Sequence, residues 1–182
     1  MTAGSFIFDQ SRHMKIIDPK DIVNLLNLKP LEIEGGHFRE TYRSGDILSK
    51  DVLPPRYQSE RCFGTAIYYL LTPGNFSAIH KVNSDEIFHF YLGDPVEMLL
   101  LYPDGTGREV VMGQDVQNEQ QVQQVVPRGV WQGASLQKGG GFALMGTTVS
   151  PGFEYEDFIL GKHESLSVGY PQYAKRISEL IR

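Results

Sequence analysis

Short runs of apolar residues, many alternating with polar ones, fill the chain from residue 61 to residue 158. Each run ends at a cluster of turn-forming residues, mostly glycine, proline and aspartate. The runs read RCFGTAIYYLL, EIFHFYL, VEMLLLY, REVVM, QQVQQVV, WQGASL and FALMGTTV. Such runs predict strands, and the gaps between them are too short for the helices that a parallel α/β sheet needs. The pattern therefore predicts an all-β protein, folded as a sandwich or a barrel.

Helical spacing occurs near the two ends of the chain. In DPKDIVNLLNL, Asp18 can cap a helix, Pro19 suits its first turn, and isoleucine and leucine follow at helical intervals. The apolar residues of the tail YPQYAKRISELIR fall on one stripe. We expect short helices over about residues 18–28 and 171–182, packed outside a barrel core of about residues 34–160.

The composition is that of a globular protein, because 41% of the 182 residues are hydrophobic and 21% are charged. We expect one domain, residues 1–182. The net charge is −5 and no run of lysine or arginine occurs, which argues against nucleic acid and anionic membranes as partners. Cys62 has no second cysteine to pair with, and the first residues lack the pattern of a secretion signal. These observations favour a cytoplasmic protein.

The stretch GNFSAIHKVNSDEIFHFYLG contains the candidate chemistry. If NSD forms a turn, His80 ends one strand and Glu86 begins the next, so the two side chains meet on one face of an antiparallel pair. Strand alternation sends Glu86, Phe88 and Phe90 to one face and His89 to the other. We therefore predict a pocket that contains His80 and Glu86 but not His89. The alternative is a hydrogen-bonded polar pair that only stabilises the turn.

The same stretch resembles the first sequence motif of the cupins, in which glycine, two histidines, glutamate and a second glycine recur at fixed spacing. Gly74, His80, Val82, Glu86 and Gly93 stand at those places, so a valine replaces the second histidine.

The segment PRGVWQ resembles the second cupin motif, with Gln132 in place of its histidine. Leu136 replaces the asparagine of that motif, and Gln121 its leading glycine. Further strings occur in the order of a family of uncharacterised single-domain cupins, sometimes called cupin five. They are LKPLEIEGGHFRETYRS, SDEIFHFYLGDP, VVPRGVWQGASL and TTVSPGFEYEDF. The resemblance covers about residues 22–160 and implies a double-stranded β-helix, the cupin jelly roll, usually dimeric and without a settled activity.

Cupin metal sites normally combine histidines with one glutamate, and two of those histidines are replaced here. Val82 cannot bind a metal, and the amide of Gln132 is a poor substitute for imidazole toward a transition metal. We therefore expect no metal and no other cofactor. The alternative is a divalent metal at His80 and Glu86, in a metal-dependent enzyme with a degenerate site.

Without a metal, His80 is the candidate general base, because neutral imidazole titrates near neutral pH. Glu86 is its candidate orienting partner. This arrangement resembles the metal-free cupin epimerases of deoxysugar nucleotides. The resemblance implies an isomerase or epimerase that acts on a sugar or a small carbonyl compound.

The candidate ligand-binding side chains are those expected to face the barrel interior. They are Val82, Phe88, Phe90, Gln132 and Tyr42. Together they predict a mostly apolar pocket for a small molecule, and packing in the core is the simpler alternative for the aromatic residues. A protein that binds a small ligand without catalysis is the alternative to an enzyme.

The segment HFRETYRS alternates polar and apolar residues, as expected for an edge strand with one solvent-exposed face. Exposed strand edges in proteins are usually covered. With the family resemblance, this predicts a homodimer in which the segment from Glu34 to Arg43 packs against a partner sheet. Gly35 and Gly36, just before it, indicate a bulge or a close approach of two backbones. Light scattering at micromolar concentration is expected to give the mass of two chains, and the mass of one chain would contradict the prediction.

Overall fold

Two large antiparallel sheets face each other in the computed structural model, which describes residues 17–182. Residues 1–16, which the predicted domain includes, lie outside the described residues. The strands are β1 (Lys29–Pro30), β2 (His37–Arg43), β3 (Ile47–Leu48), β4 (Arg61–Cys62), β5 (Thr65–Leu71), β6 (Phe76–Lys81), β7 (Asp85–Gly93), β8 (Val96–Leu101), β9 (Gly107–Met112), β10 (Gln123–Val126), β11 (Trp131–Leu136), β12 (Ala143–Ser150) and β13 (Ile159–Leu160). The helices are α1 (Pro19–Leu25), α2 (His163–Gly169) and α3 (Ala174–Glu179).

From β5 onward the chain crosses from one sheet to the other at most of its turns. The six-stranded sheet has the order β1-β2-β5-β12-β7-β10, and the five-stranded sheet has the order β13-β6-β11-β8-β9. Consecutive strands such as β6 and β7 therefore lie in opposite sheets. This is the path of a double-stranded β-helix, so the predicted all-β jelly roll with short flanking helices is confirmed.

The main hydrophobic core lies between the two sheets. It includes Phe88 and Phe90 on β7, which are 3% and 7% exposed, and Leu100 and Met98 on β8. Burying each such side chain stabilises the fold by about 1.5–3 kcal/mol. Phe38 and Ile67 pack against this core and also line a cavity, so the cavity lies directly beside the core.

The helices pack on the outer faces of the sheets. α1 begins at Pro19 with Asp18 as its cap, and it ends before the predicted residue 28 because Asn27 adopts a left-handed backbone (φ 51°). At the other end a short 3-10 turn and α3 take the place of the predicted helix over 171–182, and Ile177 is fully buried against the outside of the five-stranded sheet. Within residues 17–182, no helix is both long enough and apolar enough to cross a membrane.

Strand β2 has one edge that is mostly free. It pairs with β5 along one side, whereas β1 covers only His37 and Phe38 on the other side. Among the described residues, the edge along Arg39 to Arg43 is thus unpaired, as expected for a solvent-exposed edge strand. The homodimer itself stays a prediction.

Candidate functional site

A cavity of about 180 Å³ lies between the sheets, beside the hydrophobic core. Its walls come from β2, β5, β6, β7 and β12, from the loop before β2, and from residues 153–158, hereafter the 153–158 segment. Val82, Ile67 and Phe38 give it apolar surface. His80 and Glu86, the sequence-predicted pair, both lie in its wall and are 3% and 7% exposed. A cavity that combines apolar walls with a few buried polar groups is the usual form of a small-molecule site.

His80 and Glu86 meet in a different way from the predicted one. The prediction placed them side by side on an antiparallel pair, but β6 pairs with β11 and β13, whereas β7 pairs with β10 and β12. The two residues therefore approach each other from opposite sheets. Gln132, the direct neighbour of His80 on β11, is the group that connects them.

The hydrogen bonds of His80 fix the position of its proton. Its Nδ1 lies 2.8 Å from the carbonyl oxygen of Ala78, and because a carbonyl can only accept, Nδ1 carries the hydrogen. Gln132 Nε2 donates to Glu86 Oε2 at 2.6 Å and lies 3.3 Å from His80 Nε2. Since that amide nitrogen is a donor, it favours an unprotonated Nε2 whose lone pair accepts from Gln132. Among the described residues the Ala78 carbonyl, and not Glu86, is hydrogen-bonded to the ring, and the expected role of Glu86 as orienting partner stays a prediction.

Glu34 is a third polar group of the cavity, and sequence reasoning did not include it in the site. Ser77 Oγ donates to Glu34 Oε1 at 2.5 Å, and Glu34 Oε2 lies 4.0 Å from His80 Nε2. The signal in the sequence was the pair of glycines that follows. A side chain at Gly35 would meet the carbonyl oxygen of Phe76 at 2.0 Å, so only glycine lets this loop lie against β6.

Burial raises the pKa of the Glu86 carboxyl above its ordinary value. The nearby imidazole of His80 lowers this pKa, and the negative charge of Glu34 raises it further. The net result is a carboxyl group that holds its proton at a higher pH than an exposed glutamate does. Glu86 is therefore suited to donate a proton or a hydrogen bond inside the cavity.

Replacing Glu86 with glutamine is expected to flatten the pH dependence of stability. The pKa of the Glu86 carboxyl is higher in the folded protein than in the unfolded chain, where it is 4.5. The stabilisation that results is complete below pH 4.5 and is lost as the pH rises through the raised pKa of the folded protein. Glutamine keeps an oxygen that can accept from Gln132 but has no such titration. Urea unfolding between pH 4 and pH 8 measures the difference, and an unchanged pH profile in Glu86→Gln would contradict this assignment.

Arg43 lies at the mouth of the cavity between two carboxylates. It donates to Glu40 Oε2 at 2.9 Å and to Glu154 Oε1 at 2.6 Å, and its side chain is 39% exposed. Sequence reasoning missed these residues because Glu154 is far from β2 in the chain. The guanidinium is thus neutralised within the protein before any ligand enters.

The 153–158 segment covers one side of the cavity and is anchored by a buried ion pair. The Phe158 ring stacks on the His80 ring with a centroid distance of 4.8 Å and an interplanar angle of 20°. Next to it, Asp157 accepts from Arg61 Nε at 2.8 Å and from Asn83 Nδ2 at 3.0 Å. The side chains of Arg61 and Asp157 are 0% and 2% exposed. This ion pair holds the segment that brings Phe158 onto His80.

Three of the predicted ligand-binding residues lie elsewhere. Phe88 and Phe90 belong to the hydrophobic core, deeper along β7 than the cavity. Tyr42 is 57% exposed and outside the cavity wall, because a register shift between Glu40 and Tyr42 breaks the alternation on which the prediction depended. The tyrosine in the cavity wall is Tyr155.

His89 takes the position expected of it, whereas Gln132 contacts the cavity residues His80 and Glu86 without lining the cavity itself. Gln132 is 1% exposed and contacts both His80 and Glu86. Its Oε1 is buried without a hydrogen-bond partner among the described residues. His89 faces the other side of its sheet, where its ring contacts Thr148 Oγ1 at 3.2 Å. The functional roles of all these residues stay predictions.

The side chains at the cupin metal positions do not fit a transition metal. Val82 carries no donor atom, and Gln132 turns its amide nitrogen, which has no lone pair for a metal, toward His80 and Glu86. Nowhere in residues 17–182 do three or more histidine, cysteine, aspartate or glutamate side chains form a group that could hold a metal. The expectation of a metal-independent protein follows from this donor set and stays a prediction.

Restoring the two missing imidazoles is expected to create a metal site. His80 on β6 and Val82 just after that strand both line the cavity, and Gln132 contacts His80 and Glu86. Val82→His with Gln132→His therefore places three imidazoles and one carboxylate together. We expect the double variant to bind about one equivalent of zinc or nickel, and the parent chain and Val82→His alone to bind well under one. Elemental analysis after dialysis measures the equivalents of metal bound to each protein. Stoichiometric metal in the parent chain would contradict the expectation.

Comparisons with known proteins agree with the fold and leave the activity open. The family described as Cupin superfamily (DUF985) matches residues 20–161. An uncharacterized protein of Saccharomyces cerevisiae is 35% identical over 159 residues, which are 81% of this chain and 78% of the yeast protein. The structure of a hypothetical protein from Leishmania major has a TM-score of 0.81 at 28% identity, covering 91% of this chain and 99% of that one. A crystal structure of a protein from Shewanella oneidensis has a TM-score of 0.79 at 30% identity, with 92% and 99% covered.

Proposed function

Because the chain belongs to the cupin superfamily, in the family DUF985, we propose that its cavity binds a small molecule and that His80 removes a proton from it as a general base. The observation that carries this proposal is the hydrogen bond from His80 Nδ1 to the Ala78 carbonyl. Because Nδ1 carries the hydrogen, the basic lone pair of this buried ring is on Nε2, beside the Gln132 amide nitrogen at 3.3 Å. A base held in one tautomer avoids the cost of reorienting during the reaction.

The proposed reaction is an isomerisation or epimerisation next to a carbonyl group of a sugar or another small compound. His80 Nε2 takes the proton from the carbon beside the carbonyl, the electrons of that C–H bond form a carbon–carbon double bond, and the π electrons of the carbonyl move onto its oxygen. The Glu86 carboxyl, whose pKa is raised by burial, donates its proton to that oxygen. Return of a proton to carbon, and of the oxygen-bound proton to Glu86, completes the reaction without a net gain or loss of protons.

The geometry favours this chemistry over a purely structural polar pair. A structural pair needs no cavity, whereas His80, Glu86 and Glu34 all border an open volume. Buried glutamates with so few partners destabilise a fold, and such a cost is typical of functional sites. A protein that only binds a ligand would need the cavity but would not need a base fixed in one tautomer.

The test has two stages and uses the full chain. Small aldoses, ketoses and amino ketones are first screened for compounds that raise the thermal midpoint. Each binder is then incubated with the protein in heavy water, and proton NMR follows loss of the signal from the carbon beside the carbonyl. Exchange faster than in buffer supports the enzyme, and binding without exchange supports the ligand-binding alternative.

A further inference from the structure

We propose that this cavity selects a ligand with a positively charged ammonium group, received by Glu34, and rejects carboxylates and phosphates. The inference rests on the proposed function, since it concerns the same cavity, and it names the class of ligand. It follows from the charges of the cavity wall, from how those charges are already paired, and from the aromatic rings around them.

The cavity wall is acidic. Glu34, Glu40, Glu86 and Glu154 contribute four carboxyl groups, and among the described residues Arg43 is the one lining side chain with a fixed positive charge. With Glu86 holding its proton, as in the proposed reaction, three carboxylates face one guanidinium and leave two negative charges without a fixed cation. In a partly enclosed site this repels an anion more strongly than it would in bulk water.

The positive charge is not free to bind an anionic ligand. Arg43 donates to Glu40 through Nε and Nη2, to Glu154 through Nη1, and to the carbonyl oxygen of Phe153. A carboxylate or phosphate would have to displace one of these acceptors to reach the guanidinium. Nucleotide-sugars carry phosphates, so the resemblance to the deoxysugar-nucleotide epimerases does not extend to their substrates.

Glu34 is the carboxylate best placed to receive a cation. One of its oxygens accepts from Ser77, while the other lies 4.0 Å from His80 Nε2, a nitrogen that bears no proton in the assigned tautomer. Its side chain is 13% exposed and forms no ion pair with lysine or arginine within residues 17–182. A ligand ammonium would supply the missing opposite charge through a charge-assisted hydrogen bond.

The aromatic residues of the wall favour the same ligand. Phe38, Phe153, Phe158 and Tyr155 line the cavity together with Glu34 and His80. Their ring faces attract cations, and such contacts gain strength where water is excluded. An amino sugar or an amino ketone would combine an ammonium for Glu34 with a carbonyl or masked carbonyl carbon for His80.

The test compares probes of one shape and different charge. Cyclohexylmethylamine, cyclohexylmethanol and cyclohexanecarboxylate are titrated against the full isotope-labelled chain, and the dissociation constants are read from chemical shifts of cavity residues. We expect the amine to bind most tightly, the alcohol more weakly and the carboxylate weakest. In Glu34→Gln the amine should lose about tenfold to a hundredfold in affinity, while the alcohol changes little. Glu32→Gln, an exposed glutamate outside the cavity wall, is the matched control and should keep the preference.

The outcomes separate this inference from the proposed function. If the carboxylate binds as tightly as the amine, or if Glu34→Gln keeps the preference for the amine, the charge selection is wrong and the proposed function is untouched. If no probe of the series shifts any cavity residue, the small-molecule pocket itself is contradicted, and the proposed function fails with it.

Discussion

Replacing Arg61 with methionine is expected to lower the free energy of unfolding by about 3–5 kcal/mol, because it leaves a buried charge without its partner. Arg61 Nε and Nη2 donate to the two oxygens of Asp157 at 2.8 and 2.9 Å, and both side chains are buried. Methionine fills much of the space of the arginine but offers no donor. Urea unfolding at pH 7, analysed by linear extrapolation, measures the loss.

Arg43→Met is the matched control for Arg61→Met. It removes the same kind of side chain and also breaks two ion pairs, but Arg43 is 39% exposed and water can replace its partners. We expect a loss of at most about 1 kcal/mol. Arg61→Met combined with Asp157→Leu should recover part of the stability, because no buried charge then remains unpaired. Equal losses in Arg61→Met and Arg43→Met would contradict the assigned role of burial.

Replacing His80 with asparagine is expected to lower the rate of proton exchange from a bound substrate by about 10²–10⁴-fold. Asparagine can still donate a hydrogen bond toward the Ala78 carbonyl, but its amide does not accept a proton at neutral pH. Substrate binding should change much less than the rate. Proton NMR in heavy water gives the rate, and the thermal midpoint with and without substrate checks binding.

His89→Asn is the control for the loss of a histidine from the same barrel. His89 contacts Thr148 and Gln123 on the face of its sheet that is turned away from the cavity. The exchange rate of this variant should equal that of the parent chain. An exchange rate that survives in His80→Asn would show that another group is the base.

Strand periodicity was enough to predict an all-β fold, the motif resemblance specified the jelly roll, and the motif positions located the centre of the candidate site. His80, Val82, Glu86 and Gln132 lie together because their spacing determines their places in a jelly roll. The spacing could not show that β6 and β7 lie in opposite sheets, since a short turn is compatible with a hairpin as well as with a crossing. For that reason Glu86 was expected beside His80 in one sheet, whereas Gln132 links the two residues across the sheets.

Other parts of the site depend on contacts that local sequence does not encode. Glu34 and Phe158 reach His80 from segments far apart in the chain, and only the packed structure brings them together. Tyr42 was misplaced because one register shift in β2 reverses the alternation after it. Phe88 and Phe90 face inward as predicted, but alternation does not tell how far along a strand the core ends and a cavity begins.

The most direct test of the account is the tautomer of His80 in solution. A long-range ¹H–¹⁵N NMR spectrum of the labelled full chain at pH 7 separates protonated from unprotonated ring nitrogens, and the signals that vanish in His80→Asn identify the residue. The hydrogen bond to the Ala78 carbonyl predicts a proton on Nδ1, and the Gln132 amide nitrogen 3.3 Å from Nε2 predicts that Nε2 carries none. A ring protonated on Nε2, or on both nitrogens, would leave no base in the cavity and would contradict the proposed function.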